Sequence, residues 1–170
     1  ELLGEMMRNY HQAVAIAGTH GKTTTTSMLT EILLKAQADP TISVGGMLDS
    51  IQGNIRIGSS DLFVTEACEY TNSFLSFFPT MEIILNIEAD HLDFFKDLDD
   101  IRNSFHLFAE RMPEGGTLII NSDIEHYQEI TRGINGKIIT FGKSEDSMYR
   151  AENITYDEFA RPSYDLIKEG

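Results

Sequence analysis

Residues 13–26 read AVAIAGTHGKTTTT, and this stretch decides the fold. A short apolar run typical of a buried strand leads through Gly18 and Gly21 into a helical pattern. Glycine lets the backbone come close to a phosphate group, and the first N–H groups of the following helix point toward it. Lys22 would then reach the terminal phosphates, and the Thr23 hydroxyl would be a magnesium ligand. The stretch predicts a strand, a phosphate-binding loop and a helix.

A tight turn without a ligand is the alternative interpretation of the same loop. Two residues separate its glycines, whereas the general phosphate-loop motif has four. However, Gly21-Lys22-Thr23 between a strand and a helix is a demanding combination, and the four threonines at positions 23–26 are poor helix formers. A demand other than helix stability accounts for them, so we favour phosphate binding.

Beyond this loop, short apolar runs alternate with amphipathic helical patterns. The predicted strands are residues 13–17, 62–66, 81–86, 117–120 and 137–141. The predicted helices are residues 23–36, with one face formed by Met28, Leu29, Ile32, Leu33 and Ala36, residues 101–112 and residues 124–132. Strands joined by crossover helices imply an α/β fold, a mostly parallel sheet with helices on both faces. A sheet built from hairpins would need two-residue turns, which are mostly missing.

Two regions are less regular. Residues 45–60 contain four glycines and predict a meander or loop with a short strand at residues 54–57. The tail after Tyr149 predicts weak strands at residues 153–156 and 163–167, with no helix to close the layer before Gly170. We therefore expect a single domain, residues 1–170, whose sheet is truncated at its C-terminal end. An open sheet edge of this kind favours self-association.

Acidic and histidine side chains follow two more of the predicted strands. Glu66 ends strand 62–66, with Glu69 close by, and His91 follows strand 81–86 beside Asp90. The carboxyl ends of parallel strands share one sheet edge, where the phosphate loop also lies. A carboxylate there can hold a magnesium ion that bridges phosphates, and a neutral imidazole suits a divalent metal. A solvated glutamate and a hydrogen-bonded loop histidine are the alternatives, and for Glu69 the two interpretations are equal.

The composition limits the partners. The chain has 27 acidic and 13 basic residues, a net charge of −14, which disfavours nucleic acid. No apolar run approaches the roughly 18 residues that span a bilayer, so we expect no membrane partner. The lone Cys68 excludes an internal disulfide, which favours the cytoplasm. Because the chain lacks an initiator methionine, we expect it to begin inside a longer protein.

Taken together, the three segments resemble the Mur ligase family. The loop GTHGKTTTT at residues 18–26 and the segment NIEADHLD at residues 86–93 are typical of the alanine-adding member, in this order and at this separation. The resemblance extends from Val14 to about Phe141. It implies the central, P-loop NTPase-like domain of a bacterial cytoplasmic ligase of peptidoglycan precursor synthesis.

The resemblance also implies a reaction and a set of residues. ATP would phosphorylate the carboxylate of UDP-N-acetylmuramate, and L-alanine would attack the acyl phosphate to form an amide. Lys22, Glu66 and His91 would be catalytic, with Thr23 and Glu66 holding a first Mg²⁺ and His91 a second. The implied nucleotide-binding residues are Gly18, Thr19, His20, Gly21, Lys22, Thr23, Thr24 and Asn86.

The chain departs from the family pattern in one segment and in its extent. The family's acidic segment usually reads Glu-Ala-Asp-Glu-Ser-Asp, whereas residues 66–72 read EACEYTN. We expect Cys68, in the place of the aspartate, to be a small packed residue and not a nucleophile. The family's N-terminal UDP-binding domain, its C-terminal domain and its adenine-contacting His-Asn-x-x-Asn segment have no counterpart here. We therefore expect this chain alone to bind nucleotide weakly or not at all and to be inactive.

Three other functions fit parts of the same pattern. A recycling ligase that attaches a ready-made tripeptide to the same sugar shares the glycine loop. A P-loop phosphotransferase would use the same lysine and threonine, but it would show the longer glycine spacing. A non-catalytic nucleotide-binding module needs only the phosphate loop.

Overall fold

The computed structural model describes residues 1–168. Within these residues, nine strands form one sheet. The strands are β1 Gln12–Ala17, β2 Thr41–Leu48, β3 Gly53–Arg56, β4 Leu62–Ala67, β5 Met81–Ile84, β6 Thr117–Asn121, β7 Lys137–Gly142, β8 Tyr149–Tyr156 and β9 Pro162–Lys168. The helices are α1 Leu2–Met7, α2 Lys22–Lys35, α3 Leu98–Ala109 and α4 Tyr127–Thr131, with 3₁₀ helices at Asp49–Ile51 and Tyr70–Ser76.

The order of the strands places the phosphate loop well inside the sheet. The order is β3-β2-β4-β1-β5-β6-β7-β8-β9, so β1 lies between β4 and β5. Neighbours from β2 through β8 run parallel, and the outer pairs β2–β3 and β8–β9 are antiparallel. The ends of β1, β4 and β5 therefore meet at one edge. The mostly parallel α/β sheet predicted from the sequence is confirmed.

Helices cover both faces of the sheet, as predicted. On one face, Leu29 and Leu33 of α2 pack against a small cluster of Val14, Ile16 and Val64. On the other face, α3 and the 3₁₀ helix Tyr70–Ser76 bury the larger core, in which the rings of Phe74 and Phe108 stack with centroids 4.5 Å apart. No helix among residues 1–168 has the length and apolar character required to cross a membrane.

The packed face of α2 differs from the predicted one. Thr26 and Thr30 are fully buried, whereas Met28 and Ile32 are each 62% exposed. Residues two positions apart on a helix are separated by about 200°, so the threonines and these two apolar residues lie on opposite sides. The apolar spacing marked a real helix, but only Leu29 and Leu33 of that set pack on the sheet core.

Of the two alternatives predicted for residues 45–60, the structure confirms a meander of antiparallel strands, and the loop alternative is wrong. Strand β2 extends through Gly45 and Gly46 to Leu48, and β3 returns beside it with a register shift between Ser43 and Leu48. Glycine is unfavourable in strands, so Gly45 and Gly46 interrupted the apolar pattern and β2 was not predicted. The short strand predicted at residues 54–57 is confirmed, one residue earlier, as β3.

The bounds of several other elements differ from the predicted ones. Strand β5 ends at Ile84, which leaves Asn86 in the following loop. Helix α3 has the predicted length but begins and ends three residues earlier, at Leu98 and Ala109, and α4 has only five residues. The weak strands of the tail are confirmed as the antiparallel pair β8 and β9.

Candidate functional site

The phosphate loop joins β1 to α2 through residues 18–21. Gly18 and Gly21 both have positive φ, at 142° and 84°, and a Cβ at Gly18 would lie 3.0 Å from Leu85 Cβ. No side chain caps the N-terminus of α2, whereas Asp97 caps α3 by accepting from the N–H of Asp100 at 3.0 Å. The first N–H groups of a helix have no partners within the helix. Those of α2 are therefore available to an anion, with the helix dipole favouring its charge.

Asn86 holds this loop in place from the end of β5. Its Oδ1 accepts from the His20 N–H at 2.8 Å, and its Nδ2 donates to the His20 carbonyl at 2.9 Å. The loops are joined twice more, because the Thr19 N–H donates to the Asn86 carbonyl and the Glu88 N–H donates to Thr19 Oγ1. The Asn86 side chain thus shapes the loop. The His20 ring points outward, with Nε2 3.8 Å from Glu88 Oε2.

Lys22 lies folded over the loop that precedes it. Its Nζ donates to the carbonyls of Gly18 and Thr19 at 2.5 and 3.3 Å, and to Glu69 Oε2 at 2.9 Å. The lysine side chain is only 16% exposed. The ammonium therefore lies at the mouth of the loop, beside the free end of α2.

Thr23 and Glu66 form the second pair predicted from the sequence. Thr23 Oγ1 donates to Glu66 Oε2 at 3.0 Å, and Glu66 Oε1 accepts from the Gly45 N–H at 2.6 Å. A Cβ at Gly45 would lie 2.8 Å from Glu66 Oε2, so glycine at this point of β2 leaves the carboxylate its space. The strand that the sequence did not reveal therefore forms one wall of the site.

The oxygens of Thr23 and Glu66 fit magnesium. Magnesium is held by one or two carboxylates together with phosphate oxygens and water, and seldom by a cage of protein ligands alone. Within residues 1–168, no group of three or more His, Cys, Asp or Glu side chains is arranged to hold a metal ion. A single carboxylate and a single hydroxyl beside a phosphate loop are enough for magnesium, because phosphate oxygens and water complete its coordination.

Glu69, for which the sequence allows two interpretations, lies between Lys22 and His91. Glu69 is 2% exposed, and its Oε1 lies 3.9 Å from His91 Nε2. His91 has a φ of 53°, and its N–H donates to Asp90 Oδ1 at 2.7 Å. The turn that follows β5 thus brings the imidazole back over the sheet edge.

Tyr70 is a site residue that sequence reasoning missed. Its ring centroid lies 4.4 Å from that of His91, and its hydroxyl donates to Asp93 Oδ2 at 2.8 Å. This hydrogen bond raises the pKa of Tyr70 above its ordinary value, because it favours the protonated phenol. The departure of residues 66–72 from the family pattern was the only sequence feature that pointed here.

The structure brings most of the predicted site residues together. Lys22, Thr23, Glu66 and His91 come together at one edge of the sheet, as the strand order requires. Three further histidines, His11, His106 and His126, lie near carboxylates outside this site. Cys68 is exposed, so the expectation that it is packed is wrong. The backbone of Cys68 is nevertheless well held, because its carbonyl accepts from the Ser73 hydroxyl and from the Phe74 N–H.

Comparison with known proteins gives a consistent result. The family model described as "Mur ligase middle domain" matches residues 16–168. The UDP-N-acetylmuramate–L-alanine ligase of Lachnospira eligens is 61% identical over 171 residues, which cover 100% of this chain and 37% of that protein. The chain therefore spans a little over a third of the length of the curated relatives that it matches.

Solved structures give the same fold. The UDP-N-acetylmuramate:L-alanyl-gamma-D-glutamyl-meso-diaminopimelate ligase from Neisseria meningitides has a TM-score of 0.83 at 27% identity, covering 98% of this chain and 55% of that one. The UDP-N-acetylmuramate-alanine ligase from Thermotoga maritima has a TM-score of 0.79 at 26% identity, covering 99% of this chain and 37% of that one. The two neighbours differ in what their names say they attach.

Proposed function

Because the chain belongs to the Mur ligase family, as a middle domain, we propose that it is the ATP-binding part of a UDP-N-acetylmuramate–L-alanine ligase. The observation that carries the proposal is the meeting of Lys22, Thr23 and Glu66 at the uncapped end of α2. The proposed reaction transfers the terminal phosphoryl group of ATP to the carboxylate of UDP-N-acetylmuramate. The amine of L-alanine then attacks the acyl phosphate, which forms the amide and releases phosphate.

The residues of this chain would position and stabilise the phosphates. The N–H groups at the start of α2 would donate to phosphate oxygens, and Gly18 and Gly21 allow the backbone to approach them. Lys22 would donate to the terminal phosphate, where charge accumulates during transfer. Thr23 and Glu66 would hold Mg²⁺, and His91 would hold a second ion near the reacting carboxylate. A bound magnesium ion neutralises charge on the phosphate oxygens.

The choice of L-alanine as the added group is supported by sequence identity. The identity to the L. eligens alanine ligase is 61%. The solved structures do not separate the two activities, because the T. maritima alanine ligase is 26% identical and the N. meningitides tripeptide ligase 27%. A tripeptide-attaching recycling ligase is the alternative. The residues around the phosphate loop do not distinguish the alanine ligase from the tripeptide ligase, because both enzymes would use the same ATP chemistry.

A chimeric enzyme tests the reaction directly. Residues 1–170 would replace the matching part of the L. eligens ligase, and phosphate release would be measured with ATP, UDP-N-acetylmuramate and L-alanine. We expect turnover that needs all three substrates and disappears with Lys22→Ala. A folded chimera that is inactive with these three substrates would contradict the proposal.

Nucleotide binding by the chain itself is a separate measurement. Calorimetric titration with a non-hydrolysable ATP analogue and magnesium would be compared between the natural sequence and Lys22→Ala. We expect weak binding that is lost in the variant. Binding that survives in Lys22→Ala would argue against this phosphate site.

A further inference from the structure

Glu69 is a buried carboxylate that lies between the phosphate loop and the segment that carries His91. It precedes the 3₁₀ helix Tyr70–Ser76, is 2% exposed, and has Lys22 on one side and His91 on the other. The roles derived above for Lys22, Thr23, Glu66 and His91 leave it without a function. A carboxylate is costly to bury, so its retention beside the phosphate loop calls for a reason.

The lysine that should bind phosphate has no hydrogen-bond donor left for it. An ammonium group has three N–H donors. In this structure Lys22 Nζ contacts three oxygens: the carbonyls of Gly18 and Thr19 and Glu69 Oε2. A phosphate oxygen can accept from Lys22 only if one of these contacts is given up. The carbonyls belong to the loop backbone, which Asn86 holds in place, whereas Glu69 contributes a side chain.

The second oxygen of Glu69 has a different environment. Among the described residues, Glu69 Oε1 is buried and has no hydrogen-bond partner. His91 Nε2 lies 3.9 Å away, slightly too far for a hydrogen bond. A buried acceptor without a partner costs about 1–3 kcal/mol. A small rotation of the carboxylate toward His91 would recover part of that cost once Lys22 has left it.

We propose that Glu69 is a positioning residue, the internal counter-anion of Lys22. Its carboxylate holds the ammonium over the loop before nucleotide binds, gives it up to the phosphate, and then turns toward His91. This inference rests on the proposed nucleotide site. It has a specific consequence: the nucleotide must compete with Glu69 for Lys22, so Glu69 weakens nucleotide binding while it keeps the lysine in place.

A purely structural ion pair would have the opposite effect. If Glu69 served only to hold Lys22 in its binding position, its removal would leave the lysine disordered and would weaken nucleotide binding. If Glu69 is the competitor, removal of its charge also removes a negative charge that lies 2.9 Å from the phosphate-binding ammonium. Binding then becomes tighter.

The test is the affinity of the Glu69→Gln variant of the chimeric enzyme for a non-hydrolysable ATP analogue with magnesium, measured by calorimetry. Glutamine has the same shape and can still accept from Lys22, so near-native melting is expected. We expect the Kd to fall about tenfold. The matched control is Glu88→Gln, which removes the same charge from an exposed side chain at the same sheet edge. Solvent screening should limit its effect to less than about twofold.

Each outcome decides a different question. Tighter binding by Glu69→Gln, and not by Glu88→Gln, supports the inference. Unchanged or weaker binding by a folded Glu69→Gln variant overturns it while the proposed function stands. No binding by the folded chimeric enzyme, with the natural sequence or with any variant, overturns both.

A second variant protects the test against misfolding. Should Glu69→Gln not fold, Glu69→Asp takes its place, because it keeps the charge but withdraws it from Lys22 by about one methylene length. An intermediate gain in affinity is then expected. A loss of affinity in a folded Glu69→Asp protein would overturn the inference.

Discussion

The ring of Tyr70 packs against the ring of His91, with centroids 4.4 Å apart and planes inclined by 32°. Its hydroxyl is anchored at the same time, because it donates to Asp93 Oδ2 at 2.8 Å. Tyr70 stands where the family pattern that the sequence resembles has serine. An aromatic pair of this kind contributes about 0.5–1.5 kcal/mol beyond its burial.

Tyr70→Ser should free the His91 ring. Without the packed face, the imidazole would sample more than one rotamer, and its NMR resonances would broaden or double. Tyr70→Phe keeps the ring and loses only the anchor to Asp93, so it should resemble the natural protein much more closely. Equal His91 spectra in the natural protein and the serine variant would show that Tyr70 does not hold the ring.

Gly45→Ala should damage the magnesium pair without unfolding the sheet. The added Cβ would lie 2.8 Å from Glu66 Oε2 and must displace that carboxylate from Thr23. We expect the magnesium-dependent part of nucleotide affinity to fall about tenfold, which is measured by titration with and without the ion.

The control for this change is Gly53→Ala in β3. There the nearest atoms to a Cβ would be 3.9 Å away, so affinity should hardly change. A similar loss in both variants would point to general damage to the β2–β3 hairpin, and not to Glu66.

Asn86→Ala should loosen the phosphate loop. Two side-chain hydrogen bonds to the His20 backbone would be lost, at a cost of about 1–3 kcal/mol in the free energy of unfolding. Nucleotide affinity should fall as well, because the loop would no longer be preorganised. Denaturant melts and calorimetry check the two effects. Asn86→Asp keeps the acceptor for the His20 N–H and loses the donor, so an intermediate loss is expected.

Glu82 should make stability depend on pH. This residue of β5 is fully buried, neither carboxyl oxygen has a hydrogen-bond partner among the described residues, and burial raises its pKa from 4.5 to about 9. The folded protein therefore keeps a proton that the unfolded chain releases between these pH values. The contribution of Glu82 to the free energy of unfolding is therefore fully present below pH 4.5 and is lost as the pH rises toward 9.

The matched variant is Glu82→Gln, which cannot titrate. Between about pH 5 and pH 8, the free energy of unfolding of the natural protein should fall relative to the variant by up to about 1.4 kcal/mol per pH unit. Denaturant melts at several pH values give both slopes. Parallel slopes would mean that Glu82 is ionised in the folded protein.

The sequence predicted the parts of the fold that have strong local patterns. Strand β1, the phosphate loop, α2 and the edge that gathers Glu66 and His91 all follow from apolar periodicity and from the rule for parallel sheets. Strand β2 escaped prediction because Gly45 and Gly46 interrupt its pattern. The reason for Gly45 is the Glu66 carboxylate across the sheet, and this contact joins residues 21 positions apart.

The contacts of individual side chains could not be predicted from the sequence. Glu69 could equally have been a solvated glutamate, because nothing in EACEYTN shows that a turn with positive φ at Thr71 and Asn72 buries it. Thr26 and Thr30 are buried for a similar reason: the rotation of α2 about its axis depends on the sheet beneath it. Local patterns cannot specify that rotation.

The position of β1 in the sheet also determines when the site can form during synthesis. Its partners are β4 and β5, so a growing chain that has reached only residue 35 contains the complete phosphate loop and α2 but neither neighbouring strand. The two hydrogen bonds from the Asn86 side chain to the His20 backbone cannot form until Asn86, some 66 residues after His20, has been synthesised. Pairings between such distant residues fold slowly, because the entropy of closing the intervening chain must be overcome first. The phosphate loop is thus translated well before the strands and the side chain that make it rigid.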